Sequence, residues 1–461
     1  MKKGSSGMRI STFLLTMSVG FCLFGMALSH VAESTEISSI DSTMDRKKAV
    51  SVASWTVLVY ICADNNLAPY AIYNMNDMSA GLASSKGVNV LVQWDKPADR
   101  KTWRYKITPG GKIDVGTLSS EMGYNPAQEL LNAMQWAIKN YPAQRYALIL
   151  WDHGSGIEDF YPGSRRSMFD TAAWSLLESE ASERGILYDD SQKTCLTNQG
   201  LTSVLGSVKK VLGRNLDILA MDACLMAMVE VAYQMKDLVN LFVGSQQTIP
   251  GEGFPYSHFL RPLSLNPTAM SPLLLAQTMV SSYGNFYTRE MAVSDFTLSV
   301  IDVTAINALK QNIDQFIVAV AACAKIDAAK TKNMLVAARR ATISFEMPEY
   351  IDLYSLYANV LKEAKKISPK SVFILEKNNK KEKLTPVTKK YQVALNALNA
   401  VVLDGLSKIS KAVLQGVAGP AYSGVKGISM YYPRSGAIHP SYPKTLFAKN
   451  SAWTKFIQMY R

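Results

Sequence analysis

Along the chain, short apolar runs alternate with segments whose apolar residues recur at helical spacing. Residues 56–62, 88–94, 145–151, 216–221 and 241–244 are rich in Val, Ile and Leu, and each run is closed by turn residues. A run that is apolar on both faces describes a strand buried on both sides, as in a parallel sheet covered by helices. Between these runs, residues 68–83, 127–140 and 201–212 have the length and spacing of helices. Residues 224–236 predict another helix directly after the fourth run. The alternation predicts an α/β fold: a mainly parallel central sheet sandwiched between helical layers, with ligands bound at the carboxyl ends of the strands.

The rhythm breaks twice. Residues 158–198 are longer than an ordinary connection and contain Gly163-Ser164-Arg165-Arg166 among polar turns, so an exposed insertion is expected there. Beyond residue 260 helical spacing dominates, over 272–283, 304–325 and 389–414, interrupted by strand-like 296–302 and 428–432. This divides the chain into an α/β domain over 55–260 and a mixed, largely helical C-terminal subdomain over 261–461. The lysine-rich run 377–383 reads as a solvated surface loop.

At the N-terminus, Lys2, Lys3 and Arg9 precede an apolar stretch over 10–28, and Ala27-Leu28-Ser29 has the small-x-small form of a cleavage site. These features predict a signal peptide over 1–29, a linker or pro-segment over 30–54, and an exported protein: periplasmic, cell-surface or extracellular. The competing readings are an uncleaved anchor, weakened by Gly20 and Gly25, and lipidation at Cys22, weakened by bulky Phe21. Once the leader is removed, no stable membrane insertion is expected.

Composition narrows the function. With 48% hydrophobic and 19% charged residues, the chain is not a disordered tail protein. Five scattered cysteines without metal-ligand spacing exclude a disulfide framework and predict no metal. The net charge of +12 is spread along the chain with no nucleic-acid motif, so no nucleic-acid partner is expected. No Gly-rich phosphate loop follows a predicted strand, which argues against a nucleotide binder.

Two predicted strands end in reactive residues. One runs into Asp152-His153-Gly154-Ser155-Gly156, the other into Met221-Asp222-Ala223-Cys224. Parallel geometry sets both ends on one sheet edge, where neighbouring strands would bring His153 beside Cys224. A free thiol has a pKa of ~8.5, and an adjacent imidazolium or helix N-terminus lowers it. The predicted helix after Cys224 would supply the second influence. The amides of Gly154 and Cys224 are candidate oxyanion donors, and the set suits acyl transfer. A lone buried cysteine is ordinarily a small hydrophobe, the reading kept for Cys62, Cys195 and Cys323. His258 and His439 read as packing or loop residues, and Asp64 and Asn65 as turn and helix-cap residues.

In this order and separation, the two segments resemble the clostripain-like cysteine peptidases, relatives by fold of caspases, legumains and gingipains. Ala63-Asp64-Asn65-Asn66-Leu67, Pro250-Gly251-Glu252-Gly253-Phe254-Pro255-Tyr256 and Gly427-Ile428-Ser429-Met430-Tyr431-Tyr432-Pro433 extend the likeness. The resemblance implies a caspase-like α/β/α sandwich, Cys224 as nucleophile, His153 as its partner, and cleavage after Arg or, less well, Lys. It implies no catalytic cofactor. Some related enzymes bind calcium, and with no EF-hand-type run in the sequence a structural calcium is left open.

A basic substrate side chain needs a buried carboxylate. Asp222, expected on one strand face with Cys224, and Glu252 in the glycine-flanked loop are the candidates for that pocket. Arg165 and Arg166 are then the expected autocleavage sites, with Arg184 and Lys193 as alternatives, and the two processed chains are expected to stay associated. The competing functions are a peptide ligase or transpeptidase using the same thioester, and a non-catalytic surface-binding protein on a peptidase-like scaffold.

Overall fold

The computed structural model describes residues 52–97, 100–158, 185–367 and 386–460. The leader, nearly all of the linker, Arg165, Arg166, Arg184 and the run 377–383 lie outside the described residues.

Thirteen strands are formed among the described residues: β1 (Ala53–Cys62), β2 (Val88–Asp95), β3 (Thr102–Thr108), β4 (Gly111–Leu118), β5 (Ala143–Trp151), β6 (Ile186–Asp189), β7 (Thr194–Leu196), β8 (Leu216–Asp222), β9 (Val239–Gly244), β10 (Thr297–Asp302), β11 (Tyr350–Asp352), β12 (Val413–Ala418) and β13 (Ser429–Tyr431). Nine of them make one sheet in the order β12-β10-β9-β8-β5-β1-β2-β3-β4. The five central strands, β9-β8-β5-β1-β2, are parallel, and the pair at each edge runs antiparallel. These five are the apolar runs of the sequence. The β3–β4 hairpin is too polar on its outer strand to stand out from the pattern.

Alternation along each central strand divides the core in two. Leu58, Tyr60, Leu148, Leu150, Leu219 and Met221 face one layer, which includes α2 (Pro126–Asn140) and α3 (Asn198–Leu212). Val57, Val59, Ile149, Ile218, Ala220 and Val243 face the other, built on α1 (Ala68–Gly81), α5 (Tyr256–Leu265) and α6 (Pro272–Asn285). Local chemistry sets the helix ends. Asn125 caps α2 with Pro126 next to it, Thr197 caps α3, and Gly213 ends α3 at a φ of 68°. On the first layer pack α4 (Val229–Gln234), α7 (Ile306–Ile326), α8 (Ala328–Ala341), α9 (Leu353–Ile367), α10 (Pro386–Ala412), α11 (Leu446–Asn450) and α12 (Trp453–Tyr460).

Three expectations change. The helix predicted over 224–236 shrinks to α4, which begins at Val229, because Cys224 and Leu225 form a turn with Leu225 at a φ of 65°. The described part of the 158–198 insertion is not an exposed loop: β6 and β7 pair as a hairpin, and Ile186–Asp189 is buried throughout. Beyond residue 260 the chain is not purely an annex, since β10 and β12 extend the central sheet past β9. The described residues belong to one compact unit, Val50–Arg461. Among them no helix is long and apolar enough to cross a membrane.

Candidate active site

The carboxyl ends of the parallel strands meet along one edge. β5 pairs β8 in register, with Trp151 opposite Asp222, and the Asp152 N–H donates to the Asp222 carbonyl at 3.3 Å. The loops bearing His153 and Cys224 therefore leave the sheet side by side. Gly154 permits their contact: a Cβ there would lie 2.6 Å from the Cys224 carbonyl oxygen and 3.1 Å from the Ala223 Cβ. Its backbone is not left-handed, so the requirement is for space and not for a special φ. Among the described residues neither the Gly154 nor the Cys224 N–H donates to another residue.

The Cys224 thiol is sealed, with the residue 8% exposed. Its Sγ accepts from the Ile249 N–H at 3.3 Å. Burial raises its pKa to about 11; the Ile249 amide pulls it down, and the carboxylates of Asp222 and Asp152 push it further up. The expected helix N-terminus does not act here, since α4 starts five residues downstream. At neutral pH this sulfur is a thiol.

His153 is half-buried, and its Nε2 bonds Asn66 Oδ1 at 2.8 Å. In the Nε2-protonated tautomer this nitrogen donates to the amide oxygen and Nδ1 is the basic nitrogen. Burial lowers the imidazole pKa below its usual 6.5, opposed by the negative charge of Asp190, so the ring is a neutral base near pH 7. Its edge meets Tyr188, with ring centroids 6.1 Å apart.

The preceding residue, Asp152, anchors the loop from below. Its Oδ1 accepts from Asn65 Nδ2 at 2.8 Å, and its Oδ2 accepts from the Tyr188 N–H. Asn65 also donates to the Tyr188 carbonyl at 2.9 Å and turns the chain into α1 by accepting from the Leu67 N–H. Asn65 is thus the expected turn residue and in addition a tie between three segments. Asn66, Ile249 and Tyr188 were not singled out by sequence. The Asp64-Asn65-Asn66 run after an apolar strand is the signal that could have found the first.

Asp222 is 4% exposed, and its Oδ2 accepts from the Phe254 N–H and the Tyr256 hydroxyl, each at 2.9 Å. Among the described residues its Oδ1 has no hydrogen-bond partner. Burial raises its pKa to about 7 against those two bonds. Strand alternation does not carry Asp222 and Cys224 to one face as expected, because the strand stops at Asp222. What joins them is the loop after β9, which gives Ile249 to the thiol and Phe254 to the carboxylate. Gly253, at a φ of 67°, brings that loop over Asp222: a Cβ on it would sit 2.7 Å from Oδ2. Glu252 is half-buried in the same loop, lining a small cavity with Tyr73, Asp77, Phe254 and His258, and its carbonyl accepts from Asn74 Nδ2 at 2.8 Å. Lys193, the alternative cleavage residue among those described, is exposed in the β6–β7 turn. Cys62, Cys195 and Cys323 are buried, as expected, and no disulfide is formed among the described residues.

A buried cysteine and a neutral histidine on adjacent parallel strand ends, within an α/β/α sandwich, define the class of cysteine peptidases with a caspase-like fold. The chain belongs to the clostripain family, peptidase family C11, whose model matches residues 59–459. Clostripain from Hathewaya histolytica is 23% identical over 254 residues, 48% of this chain and 44% of that relative, so this chain spans less than half of the relative's length. A secreted C11 cysteine protease from Bacteroides thetaiotaomicron, solved with an irreversible peptide inhibitor, has the same fold with a TM-score of 0.56 at 19% identity, over 87% of this chain and 100% of that one. An inactive zymogen C11 protease from Parabacteroides distasonis matches with a TM-score of 0.53 at 19% identity, over 89% of this chain and 98% of the other.

Proposed function

We propose that this protein is an exported cysteine endopeptidase that cleaves after Arg, and less well after Lys. The observation that supports the reading is the register of β5 against β8, in which Trp151 pairs Asp222 so that the loops carrying His153 and Cys224 leave adjacent strand ends. Because the resting thiol is neutral, His153 removes the proton as Cys224 attacks the scissile carbonyl; the thiolate is not stored beforehand. The N–H groups of Gly154 and Cys224 receive the oxyanion, the leaving amine takes the proton back from His153, and water then hydrolyses the thioester.

Asp222 supplies the charge for the basic side chain. One carboxylate oxygen is pinned by Phe254 and Tyr256, and the other has no partner among the described residues, as expected of an atom kept for an incoming guanidinium. Glu252, in the loop that also gives Phe254 to Asp222, is the second carboxylate of the proposed specificity region.

Maturation by a cut after Arg165 or Arg166 would separate β1–β5 from β6–β13. The products would stay associated, because β5 and β8 are hydrogen-bonded neighbours in mid-sheet and Ser155 donates to the Gly185 carbonyl across the gap.

The test uses mature protein and its Cys224→Ala variant on paired peptides with Arg, Lys, Asp or Asn before the scissile bond, alongside N-terminal sequencing of the purified protein. Cleavage after Arg that vanishes with Cys224→Ala supports the reading. Preference for Asp or Asn, or function unaffected by the substitution, overturns it. An added amine that diverts most product would move the assignment to a ligase.

A further inference from the structure

A cleft of about 470 Å³ opens on the flank of the central sheet, between the β3–β4 hairpin and α2. It is remote from the peptidase edge, since β1 and β2 separate β3 from β5. Glu129, Asn132 and Trp136 line it from one side of α2, where their spacing of three and four residues stacks them along a single helix face. Arg104 of β3 faces them across the cleft, with Gln135 and Lys139 at the exposed rim.

Two opposite charges meet this cleft without pairing each other. Arg104 is only 8% exposed; its Nε donates to Gln93 Oε1 at 2.9 Å, and its guanidinium lies over the Trp136 ring, with Cζ 4.5 Å from the centroid. These contacts fix the plane of the fork, and its Nη end has no hydrogen-bond partner among the described residues. On the other wall, Glu129 Oε2 is buried and likewise has no partner among them. Burial lowers the Arg104 pKa and the Glu129 charge opposes that shift, so the two groups sense each other across the gap. A buried guanidinium and a buried carboxylate oxygen left unpaired are both costly. A simple anion would satisfy Arg104 and be repelled by Glu129, and a simple cation would do the reverse. A ligand bearing both charges a short distance apart satisfies the two walls together.

We propose that this cleft binds a free α-amino acid, its carboxylate held across the Nη groups of Arg104 and its ammonium set against Glu129. The planar fork of Arg104, already oriented by Gln93 and Trp136, suits bidentate contact with a carboxylate. Asn132 Oδ1 accepts from Gln128 Nε2 at 2.8 Å, which turns the rest of its amide to the ligand as a donor. With Asn132 and Gln135 beside it, an uncharged polar side chain such as that of glutamine fits better than an aliphatic one. Lys139 at the rim adds positive potential that draws the carboxylate inward.

The experiment uses the full chain carrying Cys224→Ala, dialysed free of amino acids, so its outcome is independent of the peptidase reading. Isothermal titration calorimetry at fixed ionic strength compares L-glutamine, L-leucine, sodium acetate and methylammonium chloride. The expected result is one L-glutamine per chain with a Kd of about 1 mM or below, weaker binding of L-leucine, acetate at least about tenfold weaker, and no heat from methylammonium. Arg104→Gln should abolish binding. Glu129→Gln changes a half-buried helix residue with little risk to the fold, and it should weaken L-glutamine about tenfold, to the level of acetate. Circular dichroism of both variants checks the fold, and where Arg104→Gln folds poorly the second variant decides. Acetate binding as tightly as L-glutamine, or an affinity unchanged by Glu129→Gln, would overturn the proposal in favour of a plain anion site. No saturable heat from either amino acid would overturn it outright.

Discussion

At the residue scale, what distinguishes this site is how its partners hold each group. Asn66 Oδ1 bonds His153 Nε2, and burial lowers the imidazole pKa. Asn66→Ala is expected to lower kcat roughly tenfold with little change in KM, the loss of about one hydrogen bond to a reacting group. Asn66→Asp should instead raise the imidazole pKa and move the acid limb of the pH–rate profile upward, which stopped assays across pH 5–8 would read. Asp222 carries a second pH signature. Its carboxyl titrates at about 7 in the fold but near ~4 when unfolded, so the folded state keeps a proton that the unfolded state has lost. Stability contributed by this group therefore falls as pH rises from about 4 to about 7, and Asp222→Asn should flatten the urea midpoint over that window. The same substitution should cost about 100-fold or more in kcat/KM on Arg peptides, because a guanidinium would be buried without its partner.

At the scale of elements, the site is a meeting of loops that each strand delivers to the edge of the sheet. The His153 and Cys224 loops touch through backbone, and Gly154 is the residue that allows it. Gly154→Ala places a methyl group 2.6 Å from the Cys224 carbonyl, a contact that backbone shift must relieve. The expected outcome is a fall of about 100-fold in kcat with near-native circular dichroism, since a displacement of about 1 Å between reacting groups is enough for such a loss. Short motifs carried this far: the strand-end positions of His153 and Cys224 follow from apolar runs and a parallel sheet. The turn at Cys224 did not, because a left-handed Leu225 has no mark in a sequence whose spacing continues to look helical.

For the whole molecule, the sheet itself spans the boundary that the pattern drew at residue 260. β10 pairs β9, and the Ser429 N–H donates to the Ala227 carbonyl at 2.8 Å, three residues beyond the candidate nucleophile. A fragment over 55–260 is therefore expected to be insoluble or to lack a cooperative unfolding transition, whereas the 50–461 unit unfolds as one, as size exclusion and calorimetry would reveal. By itself the sequence determined the parallel strands, the two helical layers and the pair of reactive strand ends. Those depend on periodicity, on strand-end residue types and on a topology with few alternatives. Only the tertiary structure decided that Asp222 and Cys224 meet through the loop after β9 and that Asn66 bonds His153. Such contacts join segments far apart in the chain, and no local pattern of residues encodes which side chains will face each other once the sheet has formed.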